Sequence, residues 1–349
     1  MQPVPLPLAM AACLACTFAL PGCTSPQRAT SEPAVVAPAT TSVTQTRAQY
    51  LMGTIVDITA VAPTEAAAQA ALTAGFEEIR RLEQMLSTWI DTSELSQVNR
   101  AAGHSPVQVS AETFELLTIA LDIAAQTDGA FNIAIGPAVR LWRVTEAQRV
   151  PSDIELAIAG QYVDYHMIQL NPAEKTVYLE KPGMQIDVGG IGKGFTAEKV
   201  AAVMRRNGAT GALIAVSGDF RIFGRRADGS SWPVGIQHPR KPGHLLATID
   251  STDEAVSTSG DYERFFLKDG VRYHHILDPA TLKPARLCQS VTIVADNATL
   301  ADGYATGIFV LGPVRGLALA ERLRLGAAIV DADGRLNVSN RLAQRLKSP

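Results

Sequence analysis

The segment Gln185-Ile186-Asp187-Val188-Gly189-Gly190-Ile191-Gly192-Lys193-Gly194-Phe195-Thr196-Ala197-Glu198 constrains this chain more than any other. It reads as the end of a strand, a turn crowded with glycine, and the opening of a helix. Four of the six residues from Gly189 to Gly194 are glycine. Glycine lets backbone come close to a neighbour, because no Cβ intervenes and positive φ costs little. A helix start adds unpaired N–H groups and the positive end of a dipole, which suit an anion. Asp187 and Lys193 bracket the turn with one charge of each sign. A phosphate-bearing ligand and a plain tight turn account for the glycines equally well. Two phosphate motifs are excluded. A Walker loop needs Gly-Lys followed by Ser or Thr, and Gly194 follows Lys193. A dinucleotide fingerprint starting at Gly190 needs glycine at 195, where Phe195 stands.

The chain has 349 residues, is 47% hydrophobic and carries a formal charge of −3, which suits one large or two modest domains. Near-neutral charge leaves no electrostatic footprint for nucleic acid. No internal repeat is visible, and no apolar run after residue 50 approaches the ~20 residues of a membrane span.

The N-terminus differs. Leu6 to Leu20 is an apolar run ending at Leu20-Pro21-Gly22-Cys23. It resembles a bacterial lipoprotein signal, with residues 1–22 removed and Cys23 lipidated, so that the protein is exported and anchored to a bacterial membrane facing the periplasm. No Lys or Arg precedes the run, and Pro21 is unusual beside a cleavage site; an ordinary secretory signal is the alternative. Residues 23–46, rich in Thr, Ser, Pro and Ala, read as a flexible tether before a domain spanning 47–349. Cys13 and Cys16 leave with the signal, and Cys288 remains without a partner, so neither a disulfide nor a cysteine metal site is expected.

Within the domain, a strand is predicted from Thr54 and a helix from the Thr64 cap to Leu86, with Leu72, Phe76, Ile79, Leu82 and Leu86 as its apolar stripe. Residues 87–99 read as a polar loop holding Trp89, whose ring suits either a core plug or a ligand platform. Ser110 caps a second helix with Phe114, Leu117 and Leu121 inward. Residues 166–187 form a hairpin continued by a strand at 184–187, and a helix runs from the glycine turn to Asn207. Strands then dominate (212–216, 220–224, 232–236, 245–249 and 290–295) before a last helix around Ala301–Thr306. Helices and strands come in runs, which predicts an α+β fold. Asp302 and Thr306 are four apart and share a helical face, as a hard-oxygen pair for Mg²⁺ or as a helix cap and filler. His274 and His275 offer a general base, or two alternating strand residues. A serine hydrolase built on Ser259, His275 and Asp278 lacks the G-x-S-x-G elbow.

Taken together, Met52-Gly53-Thr54, Ser93-Glu94-Leu95-Ser96, Ala130-Phe131-Asn132, Ile186-Asp187 through Phe195, Ser259-Gly260-Asp261-Tyr262, His275-Ile276-Leu277-Asp278-Pro279 and Ala301-Asp302 through Thr306 resemble the ApbE family of flavin transferases, in the family's order from about Tyr50 to Gly312. The resemblance implies a T-fold-related mixed sheet-and-helix domain with an FAD cleft. It also implies Mg²⁺-dependent transfer of FMN from FAD to a Ser or Thr hydroxyl of acceptor flavoproteins, such as subunits of membrane redox complexes, with AMP released. FAD would be held by Met52, Trp89, Ala130, Phe131, Asn132, Asp187, Lys193 and Ile276, and Mg²⁺ by Gly190, Asp302, Ala305 and Thr306; His275 matches the base. Three departures stand out: Asn132 where Asp is usual, Asp278-Pro279-Ala280-Thr281-Leu282 for Asp-Pro-Arg-Thr-Gly, and Ser217-Gly218-Asp219 for Gly-Gly-Asp. An FAD pyrophosphatase and a non-catalytic FAD-binding lipoprotein are the competing functions.

Overall fold

The computed structural model describes residues 42–348. The expected signal, the lipid-bearing Cys23 and the tether up to residue 41 lie outside the described residues. In chain order the elements are β1 (Val43–Leu51), β2 (Thr54–Ala62), α1 (Glu65–Leu86), α2 (Glu94–Arg100), β3 (Val107–Gln108), α3 (Ala111–Gln126), α4 (Gly136–Trp142) and α5 (Asp153–Gly160). Then follow β4 (Ile168–Asn171), β5 (Thr176–Leu179), α6 (Gly192–Arg206), β6 (Gly211–Val216), β7 (Asp219–Phe223), β8 (Trp232–Gln237), β9 (Leu245–Ser251) and β10 (Ala255–Gly260). Last come β11 (Phe265–Lys268), β12 (Val271–His274), β13 (Cys288–Ala295), α7 (Ala298–Arg322), β14 (Gly326–Asp331), β15 (Leu336–Val338) and α8 (Asn340–Ala343).

The frame is an eight-stranded sheet in the order β1-β2-β6-β7-β10-β13-β14-β15. Every neighbouring pair in it is antiparallel, so the fold is α+β as its run-wise pattern predicts. Both faces are covered. Val291 and Ile293 of β13 face a core shared with α1, α6 and α7, whereas Val294 faces a second core under the β8–β9 hairpin and α8. Two buried faces explain why such strands read as continuous apolar runs.

β1 starts at Val43, so residues 43–46 belong to the sheet and not to the tether; Val43 pairs with Ala62 and Leu51 with Thr54. Threonines that suggest a linker by composition also favour strands, and Thr46 Oγ1 meets Thr59 Oγ1 across the pair at 2.9 Å. α1 keeps its predicted cap and stripe: Thr64 Oγ1 accepts from Ala67 N at 3.2 Å, and Leu72, Phe76, Ile79, Leu82 and Leu86 are all buried. The inner face of α3 is Thr113, Leu116, Leu117, Ala120, Ile123 and Ala124, rotated from the expected one, so that Phe114 and Leu121 are only partly buried. The predicted polar loop contains α2, capped by Ser93. Residues 184–187 join no ladder. The Asn99 side chain accepts from Ile186 N at 2.6 Å and donates to Ile186 O at 3.0 Å, which replaces strand pairing.

α7 is long and apolar enough to cross a membrane, yet most of it is buried in the protein core. It breaks at Gly312 (φ 80°), where a side chain would run into Leu287 and where Pro313 cannot continue the ladder. Cys288 is buried and unpaired.

Candidate functional site

The glycine turn is explained first by packing. An ideal Cβ on Gly194 would stand 2.2 Å from Ala298 O and 2.6 Å from Asp302 Cβ, so glycine is what lets α6 lie against α7. On Gly190 a Cβ would sit 3.0 Å from Thr306 Oγ1 and 3.4 Å from Phe131 Cε2. The N–H groups at the start of α6, expected to receive a substrate anion, are already engaged. Ile191 N and Gly192 N donate to Val188 O at 3.0 and 2.8 Å, and Gly194 N donates to Asp302 Oδ2 at 2.8 Å. The anion at this helix mouth is a side chain from α7. Asp302 is therefore no cap for its own helix, a role that Asn297 fills.

Around Asp302 the charges are concentrated. Lys193 Nζ hydrogen-bonds Asp219 Oδ2 and lies 3.9 Å from Asp302 Oδ1. Asp219 also accepts from Ser257 Oγ. Asp219 and Asp302 are each 2% exposed. Burial, reinforced by Asp219, pushes the Asp302 carboxyl up to about 7. Burial opposes charge on Lys193, but Asp219 and Asp302 outweigh it and raise its pKa. Glu263 is also raised, mainly by burial, with Asp219 adding to the rise and Lys193 opposing it.

This set fits Mg²⁺. Two buried carboxylates face one lysine, a surplus of negative charge that a divalent cation would relieve. The donors are hard oxygens: the Asp302 carboxylate, the Thr306 hydroxyl and the carbonyls of Gly190 and Ala305. Thr306 Oγ1 already lies 3.3 Å from Gly190 O and 3.3 Å from Ser259 Oγ. Among the described residues no group of three or more His, Cys, Asp or Glu is placed to hold a metal. An ion here would therefore complete its shell from hydroxyl, carbonyl, water and substrate phosphate oxygens, as Mg²⁺ commonly does.

His275 follows β12. Its N–H donates to Arg264 O at 3.2 Å and its Nδ1 lies 3.3 Å from the same oxygen. That contact puts the ring proton on Nδ1 and leaves Nε2 as the free lone pair. Burial, then Arg264 and His274, hold its pKa well below 6.5, so the ring is neutral at neutral pH. His274 is buried, with Nε2 2.7 Å from Ala285 O and Nδ1 accepting from Ile276 N at 3.3 Å. The pair alternates as strand residues do; both His274 ring nitrogens are engaged, whereas only Nδ1 of His275 has a partner among the described residues. Asp187 accepts from Gly189 N at 2.8 Å; burial raises its pKa, while Arg264 and Arg140 pull the other way. Arg140 also stands 5.9 Å from the centre of the Trp89 ring. Trp89 is 61% exposed, so it is no core plug.

The remaining candidates divide. Phe131 packs beside Gly190, and Ala130 is half-buried just before it. Asn132 Oδ1 accepts from Ala134 N at 2.8 Å, capping a short turn whose Ile133 O receives Asp187 N at 2.8 Å; its side chain positions Asp187. Met52 sits at the tip of the β1–β2 hairpin (φ 54°), its N–H tied to Glu83 Oε1 at 2.8 Å. Ile276 and Ala305 lie in the main core, so Ala305 offers only its backbone. Among the described residues, no hydrogen bond joins Met52 or Ile276 to the Asp302 cluster.

Two departures share one cause. Ser217 and Leu282, which stand where the family pattern has glycine, both adopt positive φ (51° and 56°). Ser217 and Gly218 make the two-residue turn between Val216 and Asp219 that aims Asp219 at Lys193. Asp219, Ser257, Glu263 and Arg264 were not picked out from sequence as site residues, and Ser259 was weighed only as a hydrolase nucleophile. The signals for Asp219 are that tight Ser-Gly turn between two apolar runs and its place in the element that stands for the family's Gly-Gly-Asp.

Comparisons with known proteins bear on the family and the fold. The ApbE family model matches residues 52–330. A Treponema pallidum (strain Nichols) protein named FAD:protein FMN transferase is 35% identical over 319 residues, covering 86% of this chain and 88% of that one. The solved flavin transferase ApbE from Vibrio cholerae superposes with a TM-score of 0.80 at 27% identity, over 87% of this chain and 100% of that one. The ApbE protein from Thermotoga maritima gives 0.81 at 30% identity, over 88% and 100%.

Proposed function

This chain belongs to the ApbE family and transfers FMN from FAD to acceptor proteins, and we propose that it does so through the Asp302 cluster and His275, with a Ser or Thr hydroxyl as acceptor and AMP as leaving group. His275 Nε2 takes the hydroxyl proton as that oxygen forms a bond to the phosphorus of the FMN half. The bond from that phosphorus to the bridging oxygen breaks, and the electron pair leaves with AMP. A general base that is neutral at the working pH is what this step requires. Lys193, kept charged by Asp219 and Asp302, meets the diphosphate from the mouth of α6. Trp89 and Arg140 form an exposed wall that suits a flat ring system. Mg²⁺, held by Asp302, Thr306 and the carbonyls of Gly190 and Ala305, would offset charge on the diphosphate.

The observation that carries this reading is the placement of Asp302, a buried carboxylate that touches Gly194 N and stands within 4 Å of Lys193. Incubation with FAD, Mg²⁺ and a flavoprotein acceptor, followed by mass spectrometry, tests it. FMN mass added on Ser or Thr, lost with chelator, is expected. Free FMN without protein labelling would mean hydrolysis and would overturn the transfer step.

We also infer export and anchoring through Cys23, supported by the apolar run that precedes it. Cys23→Ser should release the protein from membranes on fractionation, and retention of the variant would refute the anchor.

A further inference from the structure

Apart from the Asp302 cluster, a cavity of about 200 Å³ opens beside β12, its charged lining Arg240, Asp261, Arg272 and Arg286, with His274, Cys288 and uncharged neighbours completing it. Arg240 grips Asp261 with both arms at 2.6 Å, and Arg272 reaches the same carboxylate at 3.2 Å. One carboxylate thus meets two guanidiniums. Arg286 has no carboxylate partner among the described residues and rests 5.4 Å from the Tyr273 ring. Burial pushes the Cys288 thiol up to about 12, and His274 is held neutral, so neither alters the balance. The lining therefore carries three positive charges against one negative. Asp331, beyond Cys288, has an oxygen accepting from Asp333 N and Arg335 N at 3.0 and 2.8 Å.

Holding Asp261 needs only two of the three arginines. We propose that this cavity is an oxyanion site, which takes a phosphoryl dianion with Arg286 and the spare N–H groups of Arg272 as its donors. The volume is below the roughly 300–1,000 Å³ of sites that enclose whole ligands, so a phosphoryl group fits inside and a flavin nucleotide does not. Paired guanidiniums are the side chains best matched to such a group. Arg272 and His274 lie on one side of β12, as the period of two requires. The site is thus formed on the strand that leads into His275.

The phosphoryl group has two sources, free phosphate or AMP, and only the second rests on the reaction proposed above. Inorganic phosphate is titrated calorimetrically into the full chain saturated with FAD without divalent cation, which blocks the flavin site and prevents turnover. Saturable binding is expected, weakened about 10- to 100-fold in Arg286→Gln and only partly restored in Arg286→Lys, which keeps the charge but not the fork, with FAD affinity unchanged in both. Arg286 is exposed, so its replacement spares the core. AMP binding with the same Arg286 dependence would identify the nucleotide as a source; phosphate binding alone would identify the free ion. Absence of saturable binding of either, or Arg286→Gln binding as wild type does, overturns the proposal.

Discussion

Asp302 on α7 accepts a hydrogen bond from the backbone N–H of Gly194, 108 residues earlier, at 2.8 Å. This contact joins the helix that carries the proposed metal oxygens to the helix that carries Lys193. It also leaves a carboxylate buried in the apo protein, and the first prediction concerns its cost. The unfolded carboxyl titrates near ~3.9, whereas the folded one is pushed up to about 7. Between those values the folded state binds more protons, so stability falls as pH rises from about 4 to about 7, by a few kcal/mol at most. Urea unfolding in chelator at pH 5 and pH 8 should show that fall, and Asp302→Asn should flatten it. Equal slopes in the two proteins would contradict the assignment.

The same carboxylate governs transfer. Asp302→Asn keeps an oxygen for Gly194 N but removes the charge that Mg²⁺ needs. Labelling of an acceptor should become undetectable at Mg²⁺ levels that saturate the wild type, while FAD binding without metal persists. Unchanged labelling would take Asp302 out of the site.

His275→Ala should slow labelling by roughly 10²–10⁴, the usual worth of a general base. Because burial and Arg264 hold the ring neutral well below pH 6.5, the wild-type rate should show no loss between pH 7.5 and 6.5 from this group. A rate that halves near 6.5, and whose fall disappears in the variant, would show the ring to be unperturbed.

Much of the frame is legible in the sequence because its signals are local. Thr64 caps α1, the stripe from Leu72 to Leu86 is buried as spaced, and the β4–β5 hairpin turns at Asn171-Pro172. The candidate site is legible where a motif and a position coincide, as at Asp302 and Thr306, which the fold brings against Gly194 and Gly190. Misreadings arise where partners are distant. The glycines from 189 to 194 suggest a phosphate cradle, but a Cβ on Gly190 would meet Thr306 and one on Gly194 would meet Ala298 and Asp302, all on α7, and spacing carries no trace of these. Asn99 replaces a strand partner for Ile186 from 87 residues away. Asp219 and Arg264 gain their roles only when β7 and the segment after β10 fold beside Lys193.

The two lost glycines give opposite predictions. Ser217 (φ 51°) sits in an open turn, and a left-handed non-glycine residue costs about 1–2 kcal/mol. Ser217→Gly recovers that and gives back about 0.4–1 kcal/mol through a more flexible unfolded chain. A net gain of about 0.5–1 kcal/mol is expected in urea unfolding. Leu282 has the same strain but is 4% exposed in the small core around Trp142, whose Nε1 donates to Leu282 O at 2.7 Å. Leu282→Gly relieves the backbone but removes a buried side chain worth about 2–5 kcal/mol, so it should destabilise.

Gly194→Ala tests the packing account of the glycine turn. The added Cβ would stand 2.2 Å from Ala298 O, a backbone atom near the start of α7 that cannot swing aside. Either α6 or α7 must shift, and overpacking of this kind costs about 3 kcal/mol or more when backbone moves. Gly192→Ala is the control, since its Cβ would meet only Val188 Cγ2 at 3.5 Å, an ordinary contact. Helical alanine is also favoured over glycine by up to about 1 kcal/mol. The expected order in thermal unfolding is therefore Gly192→Ala at or above wild type, with Gly194→Ala far below. If the glycines instead served a phosphate directly, both variants would fold alike and lose FAD affinity together. That outcome would return the turn to the role its sequence first suggests.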